Sequence, residues 1–211
     1  MVSALFFDFD GLILDTETPE VLAWQWLFEF HGQKYPDEVW MNIVGCGPDQ
    51  VAEQPENLLK RLANLDESPE SIRLRFRERY WENFELMTRP GAIELLDSAR
   101  AKGLRCCIVS SSLHSWVDDF VQKLGLTDYF EMTICREDAA RSKPAPDLYL
   151  KALELMKVDT QSALVFEDSQ NGVTAAHAAG LYVIACPNDV TRHLDFSLAA
   201  RVVQSLHEVT L

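Results

Sequence analysis

With 211 residues the chain has room for one well-cored domain, or a core domain carrying a smaller insertion, and argues against a small disulfide-stapled scaffold. Its 47% hydrophobic and 25% charged residues, without repeats or Gly-rich and Pro-rich tracts, are those of a folded globular protein. A net charge of -14 repels phosphate backbones and anionic lipid, so neither nucleic acid nor a membrane is an expected partner, and a phosphorylated metabolite requires a metal or placed cations to offset the field.

In chain order, the first element is an apolar run over 4–7, which reads as a buried strand and ends in Asp8-Phe9-Asp10-Gly11. The segment from there to Pro90 carries helical patterns over 21–31 and 69–86 but no convincing strand, and reads as a helical insertion. Trp24, Leu27, Phe28, Trp81 and Phe84 recur there at helical spacing and are expected to pack a bundle rather than line a ligand box. After Pro90-Gly91 comes a helix over 92–102 stopped by Gly103, then a strand over 104–109 leading into Ser110-Ser111-Ser112. A helix over 116–124 ends at Gly125 and a strand over 131–135 follows; Lys143-Pro144-Ala145-Pro146 then opens a helix over 147–156. The last pair of strands, 163–166 and 181–186, flank a helix over 172–179, and the first of them runs into Glu167-Asp168-Ser169. Such alternation predicts an α/β fold with a parallel sheet covered on both faces.

The cysteines, Cys46, Cys106, Cys107, Cys135 and Cys186, are odd in number and lack zinc spacing, which suits reduced thiols in the cytoplasm. The start, Met1-Val2-Ser3-Ala4, has no basic n-region, and no apolar run approaches the ~20 residues of a membrane span, so neither export nor insertion is expected.

Ligands of open α/β sheets bind beyond the carboxyl ends of the strands, where strand order reverses. Four separated segments deliver side chains to that edge here: Asp8 and Asp10, Ser110 to Ser112, Lys143, and Glu167 with Asp168. Taken singly each has a structural explanation, as turn acids, a helix N-cap or a solvated surface lysine. Taken together, up to four carboxylates in one small space demand a cation or bound protons, and hard oxygen ligands with room for water and substrate suggest Mg²⁺. Hydroxyls after a strand and a compact lysine charge suit phosphoryl oxygens.

The order FFDFDG, VSSS, SKPAPDLY, FEDSQNG resembles the four motifs of haloacid dehalogenase superfamily hydrolases, particularly the branch similar to β-phosphoglucomutase and small sugar phosphatases. The likeness runs from about Ala4 to Asn188; within the insertion only Asp15-Thr16-Glu17 and a weak Val44-Gly45 pattern carry it, and Leu12 departs from the usual Thr or Val. It implies a Rossmann-like core over 1–15 and 88–211 with a helical cap over 16–87. It also implies a Mg²⁺-dependent phosphatase in which Asp8 attacks phosphorus and Asp10 serves as acid and then base. Asp8, the backbone carbonyl of Asp10, Asp168 and Glu167, directly or through its neighbours, would hold the metal. Ser110, the Ser111 N–H and Lys143 would bind the phosphoryl group.

In β-phosphoglucomutase-like relatives a His in the segment after Asp15 helps transfer phosphate to sugar rather than water, and an Arg in the cap grips a second phosphate. Thr18, Pro19 and Glu20 stand in that neighbourhood and 44–49 lacks the Arg, so hydrolysis is expected over transfer. Arg73, Arg75, Arg77 and Arg79 are candidates for a cap cation against a solvated helix face, and His114 is a candidate for the site entrance. The alternatives are a sugar phosphomutase and a catalytically silent binding module. The expected partner is a small phosphorylated substrate, and the expected state a monomer, with a homodimer as the alternative.

Overall fold

The computed structural model describes residues 2–211; Met1, the first residue of the expected core and leader readings, lies outside the described residues. Six strands form one wholly parallel sheet: β1 (Ala4–Phe7), β2 (Arg105–Val109), β3 (Met132–Ile134), β4 (Ala163–Glu167), β5 (Tyr182–Ala185) and β6 (Arg201–Val202), in the order β3-β2-β1-β4-β5-β6. The five expected strands are present, each within two residues of its expected ends, and β6 is an addition. The chain runs outward from β1 to β3 and returns to build on the other side of β1. Strand order therefore reverses between β1 and β4, where Asp8 and Asp168 emerge.

The sheet is buried on both faces because each strand alternates between two cores. Leu5 and Phe7 join Cys106, Ile108 and Phe166 under α5 (Ala92–Ala101) and α6 (His114–Lys123). Ala4 and Phe6 join Cys107, Val109 and Val165 under α7 (Asp147–Met156) and α8 (Gln170–Ala178). Fully burying an aromatic such as Phe6 or Phe166 contributes about 1.5–3 kcal/mol, which makes these strands the rigid base of the site.

Between β1 and α5 lie four helices: α1 (Glu17–Phe30), α2 (Asp37–Ile43), α3 (Pro55–Leu62) and α4 (Pro69–Asn83). Helix α4 starts where Ser68 accepts a hydrogen bond from the Ser71 N–H with Pro69 at the first helical position. Trp24 of α1 stacks on Phe76 of α4 at 4.1 Å, and Trp24, Leu27 and Phe28 are buried as expected. Trp81 departs from that expectation: it is 51% exposed and lies with Phe84 against α6, which covers the sheet. The chain leaves the sheet and re-enters it at adjoining points, since Leu14 bridges Thr88 and the Arg89 N–H donates to the Ile13 carbonyl at 2.8 Å. No helix among the described residues is long and apolar enough to cross a membrane.

Candidate active site

Beyond β1 the backbone turns at Gly11, whose φ of +79° favours glycine. Any Cβ at Gly11 would also overlap the carboxylates of Asp168 and Glu17, so the residue supplies both the turn and the room for the acids around it. The Gly11 carbonyl is held by Arg89, whose guanidinium also reaches the carbonyls of Cys186 and Pro187, each at 3.3 Å.

Asp8 is 5% exposed and Lys143 only 1%, so the lysine is a buried charge rather than a surface one. Its ammonium has three protons and three acceptors: Asp8 Oδ1 at 2.6 Å, Glu167 Oε1 at 2.6 Å and the Val109 carbonyl at 2.7 Å. Glu167 Oε1 also accepts from the Tyr149 hydroxyl at 2.5 Å. The carboxylate of Glu167 fits only because residue 172 is glycine, where a Cβ would overlap it.

Asp168 is fully buried, and its Oδ2 accepts from Asn188 Nδ2 at 2.8 Å. The same Nδ2 lies 2.6 Å from Glu17 Oε2. The other oxygen, Asp168 Oδ1, is buried without a hydrogen-bond partner. Carboxylate oxygens of Asp8, Glu167 and Asp168 lie within 4.8 Å of one another. Burial drives Asp8 well above the usual carboxylate range, with Lys143 opposing the rise and Glu167 and Asp168 adding to it. Burial likewise raises Asp168, helped by Glu17 and Glu167, and pushes Glu17 up to about 8. Three crowded buried acids with a single lysine among them, and one buried carboxylate oxygen left unpaired, fit a hard divalent cation.

Asp10 faces elsewhere. Its Oδ1 accepts from Thr16 Oγ1 at 3.0 Å and Trp116 Nε1 at 2.8 Å, and its Oδ2 from Ser112 Oγ at 2.6 Å and Ser110 Oγ at 3.3 Å. The side chain thus stands apart from the three-acid cluster. The serines are not a helix cap, because α6 begins at His114 with Leu113 before it. Ser110 Oγ accepts from the Ser112 N–H at 3.0 Å, and Ser111 Oγ donates to the Gly45 carbonyl at 3.1 Å.

A cavity of about 240 Å³ lies between the sheet edge and the helical segment, lined by Asp8, Asp10 and Ser110 from the one and Glu20, Trp40 and Arg73 from the other. Burial, and Asp10 nearby, push Glu20 to about 7 despite the opposing charge of Arg73. Of the four candidate arginines Arg73 lines the cavity, and its guanidinium is engaged by Glu56 Oε1 at 2.6 and 3.0 Å. Arg75 pairs with Glu67 and Arg79 with Glu82, and their guanidinium groups lie over Phe30 and Trp26 of α1. His114 does not line the cavity; its ring nitrogens lie 3.2 Å from Asp118 and 2.7 Å from Asp138.

Asp8, Asp10, Ser110, Lys143, Glu167 and Asp168 are therefore brought together as the motifs suggested. Asn188, Tyr149 and Trp116 are further members of the site that pattern reading passes over. Trp116 lies four residues before Phe120, a spacing that signals packing, while Asn188 lies in a loop with no signal of its own.

A parallel sheet with this strand order, acids beyond β1 and β4, and a buried lysine between them define a phosphoryl-handling α/β hydrolase. Residues 5–186 match the haloacid dehalogenase-like hydrolase model, and the chain belongs to that family. It is a phosphoric monoester hydrolase. The YhcW protein of Bacillus subtilis is 37% identical over 212 residues, covering 100% of this chain and 95% of its own. The CbbY protein of Rhodobacter capsulatus is 33% identical, covering 94% of this chain and 91% of its own. Among solved structures, a CbbY variant from Rhodobacter sphaeroides in complex with xylulose-(1,5)bisphosphate superposes with a TM-score of 0.74 at 25% identity, over 99% of this chain and 96% of that one.

Proposed function

We propose that the chain hydrolyses a small sugar phosphate through an aspartyl-phosphate on Asp8, with Mg²⁺ as cofactor and residues 16–87 acting as the cap that selects the sugar. The observation that carries this reading is the Asp8–Lys143 contact at 2.6 Å beside the unpaired Asp168 Oδ1. Lysine spreads positive charge over one oxygen of Asp8, leaving the other to face the cavity as nucleophile. Asp8 and Asp168 carboxylate oxygens and the Asp10 backbone carbonyl would hold the metal, with Glu167 behind them, fixed by Lys143 and Tyr149. Bound there, Mg²⁺ neutralises Asp8 and the incoming phosphoryl oxygens. Ser110 and the backbone N–H of Ser111 orient the phosphoryl group. Asp10, turned away from the acid cluster, protonates the departing sugar oxygen and then takes a proton from the water that cleaves the acyl phosphate. Four of the five cysteines are buried and none is paired, which suits the cytoplasm as the proposed location.

The cavity supports a sugar as the departing group. Glu20 offers an acceptor for hydroxyls, Trp40 an apolar face, and Arg73 is already neutralised by Glu56, which disfavours a second phosphate. A phosphate-release panel of sugar monophosphates, sugar bisphosphates, nucleotides and phosphorylated acids is expected to rank the sugar monophosphates first. Equal rates across the panel, or preference for a phosphorylated acid, would overturn the sugar reading.

Metal dependence has its own test. Phosphate release is expected to fall to background in excess EDTA and return with added Mg²⁺. Mg²⁺ is also expected to raise the melting temperature of the resting protein by several degrees, and of Asp168→Asn much less. An unchanged melting temperature in both would reject the site.

A further inference from the structure

Trp116 lies where α4 packs on α6, beside the cavity. It stands at the start of α6, just past the serine loop, and its half-buried indole donates to Asp10 Oδ1 at 2.8 Å. Its ring packs at 6.4 Å from Tyr80 and 6.0 Å from Trp81, both on α4, and at 4.6 Å from Phe120 of its own helix. One edge of the indole thus touches Asp10 and the rest belongs to an aromatic cluster shared by α4 and α6.

The two oxygens of Asp10 are made unequal by these contacts. A hydroxyl can donate or accept by rotating, so Thr16, Ser110 and Ser112 tolerate either state of the carboxyl group. An indole N–H only donates. A proton on Oδ1 would meet the indole proton head-on, so a proton carried by Asp10 in this orientation sits on Oδ2, the oxygen beside Ser110 and Ser112.

We propose that Trp116 is a positioning residue for hydrolysis: it holds Asp10 with Oδ2 as the proton-bearing oxygen and ties that orientation to the packing of α4 on α6. The inference rests on Asp10 acting as the acid in the proposed mechanism. As a carboxylate oxygen of Asp8 bonds to phosphorus and the bond from phosphorus to the sugar oxygen breaks, the electron pair of the broken bond goes to the sugar oxygen, which takes the proton from Oδ2. Asp10 is left as a carboxylate and the sugar departs as a neutral alcohol. The indole N–H stays on Oδ1 throughout, while the Ser112 hydroxyl turns to donate to the newly charged Oδ2. Because α4 also carries Arg73 into the cavity, the helix that meets the sugar is the helix that braces the acid.

The test compares kcat/KM for the best sugar phosphate of the panel with kcat/KM for p-nitrophenyl phosphate, whose leaving group departs without a proton. Release of p-nitrophenol precedes hydrolysis of the acyl phosphate, so this parameter stops short of the base step. Trp116→Phe keeps an aromatic ring, though a smaller one, and loses the N–H. It is expected to depress the sugar phosphate by about 10–100-fold, within the range of general acid effects, and p-nitrophenyl phosphate several-fold less. Asp10→Asn, run in parallel, is expected to show the same selectivity more strongly. Trp81→Ala, at an exposed position, keeps the N–H but removes a neighbouring ring, and is expected to give the same selective loss at roughly threefold. If Asp10→Asn discriminates between the substrates while Trp116→Phe lowers both alike, lowers neither or raises the sugar rate, the positioning role is wrong. If Asp10→Asn itself fails to discriminate, the assignment of the acid falls, and that of Trp116 with it. A wild-type ratio in Trp81→Ala removes the link to α4.

Discussion

Asp8→Asn is expected to abolish turnover, by roughly 10⁴-fold or more, while leaving the protein folded. An amide at this position has the volume of the carboxylate and keeps an oxygen for Lys143, whose remaining acceptors, Glu167 Oε1 and the Val109 carbonyl, are untouched. It lacks the charged oxygen needed to attack phosphorus. The substitution also removes a carboxyl group that burial, Glu167 and Asp168 push upward, so the metal-free protein is expected to melt at the same temperature or higher. Phosphate release and a thermal melt on the same preparation check both halves. Substantial residual hydrolysis would remove Asp8 as nucleophile, and a collapsed melt would mean that its charge is needed for folding.

Lys143→Met is expected to damage stability and activity together. The lysine is enclosed, and removing it strands Asp8 and Glu167 as buried acids without their cation. Breaking a buried pair in this way costs about 3–5 kcal/mol, a large share of the 5–15 kcal/mol that holds a typical domain. Arginine is not expected to rescue it, because three acceptors surround a compact ammonium and leave no space for a planar fork. Urea unfolding of Lys143→Met, Glu167→Gln and the double variant forms a cycle in which the double variant should be more stable than the sum of the single losses allows. A coupling below about 0.5 kcal/mol would show that Lys143 and Glu167 do not act as a unit.

Much of this was legible in the sequence because it is written in short, bounded runs. Each strand that carries a site residue is a continuous apolar stretch followed at once by a polar cluster, so the edge on which Asp8, Ser110 and Asp168 appear follows from alternation alone. Lys143 was harder, since a lone lysine before a proline is ordinarily a surface charge, and only its company with the other motifs sets it inside. What stayed hidden depends on distance in the chain. Asn188 meets Glu17 across 171 positions, and Trp116 meets Asp10 across 106, with nothing local to mark either pairing. β6 escaped for a different reason: two residues, Arg201 and Val202, are too few to show any period. His114 follows the serine loop in sequence but is drawn off by Asp118 and Asp138, a choice made by side chains of α6 and the segment after β3.

The brevity of the outermost strands has a consequence for the protein's life in a crowded solution. At one margin of the sheet stands β3 with three residues, at the other β6 with two. An incoming extended chain would find at most a rung or two of unpaired backbone on either side, too little to template further strands. The four longer strands that could seed a fibril are all sealed in the interior of the sheet. Self-association, where it occurs, must then use side chains rather than the sheet's own hydrogen-bonding edge.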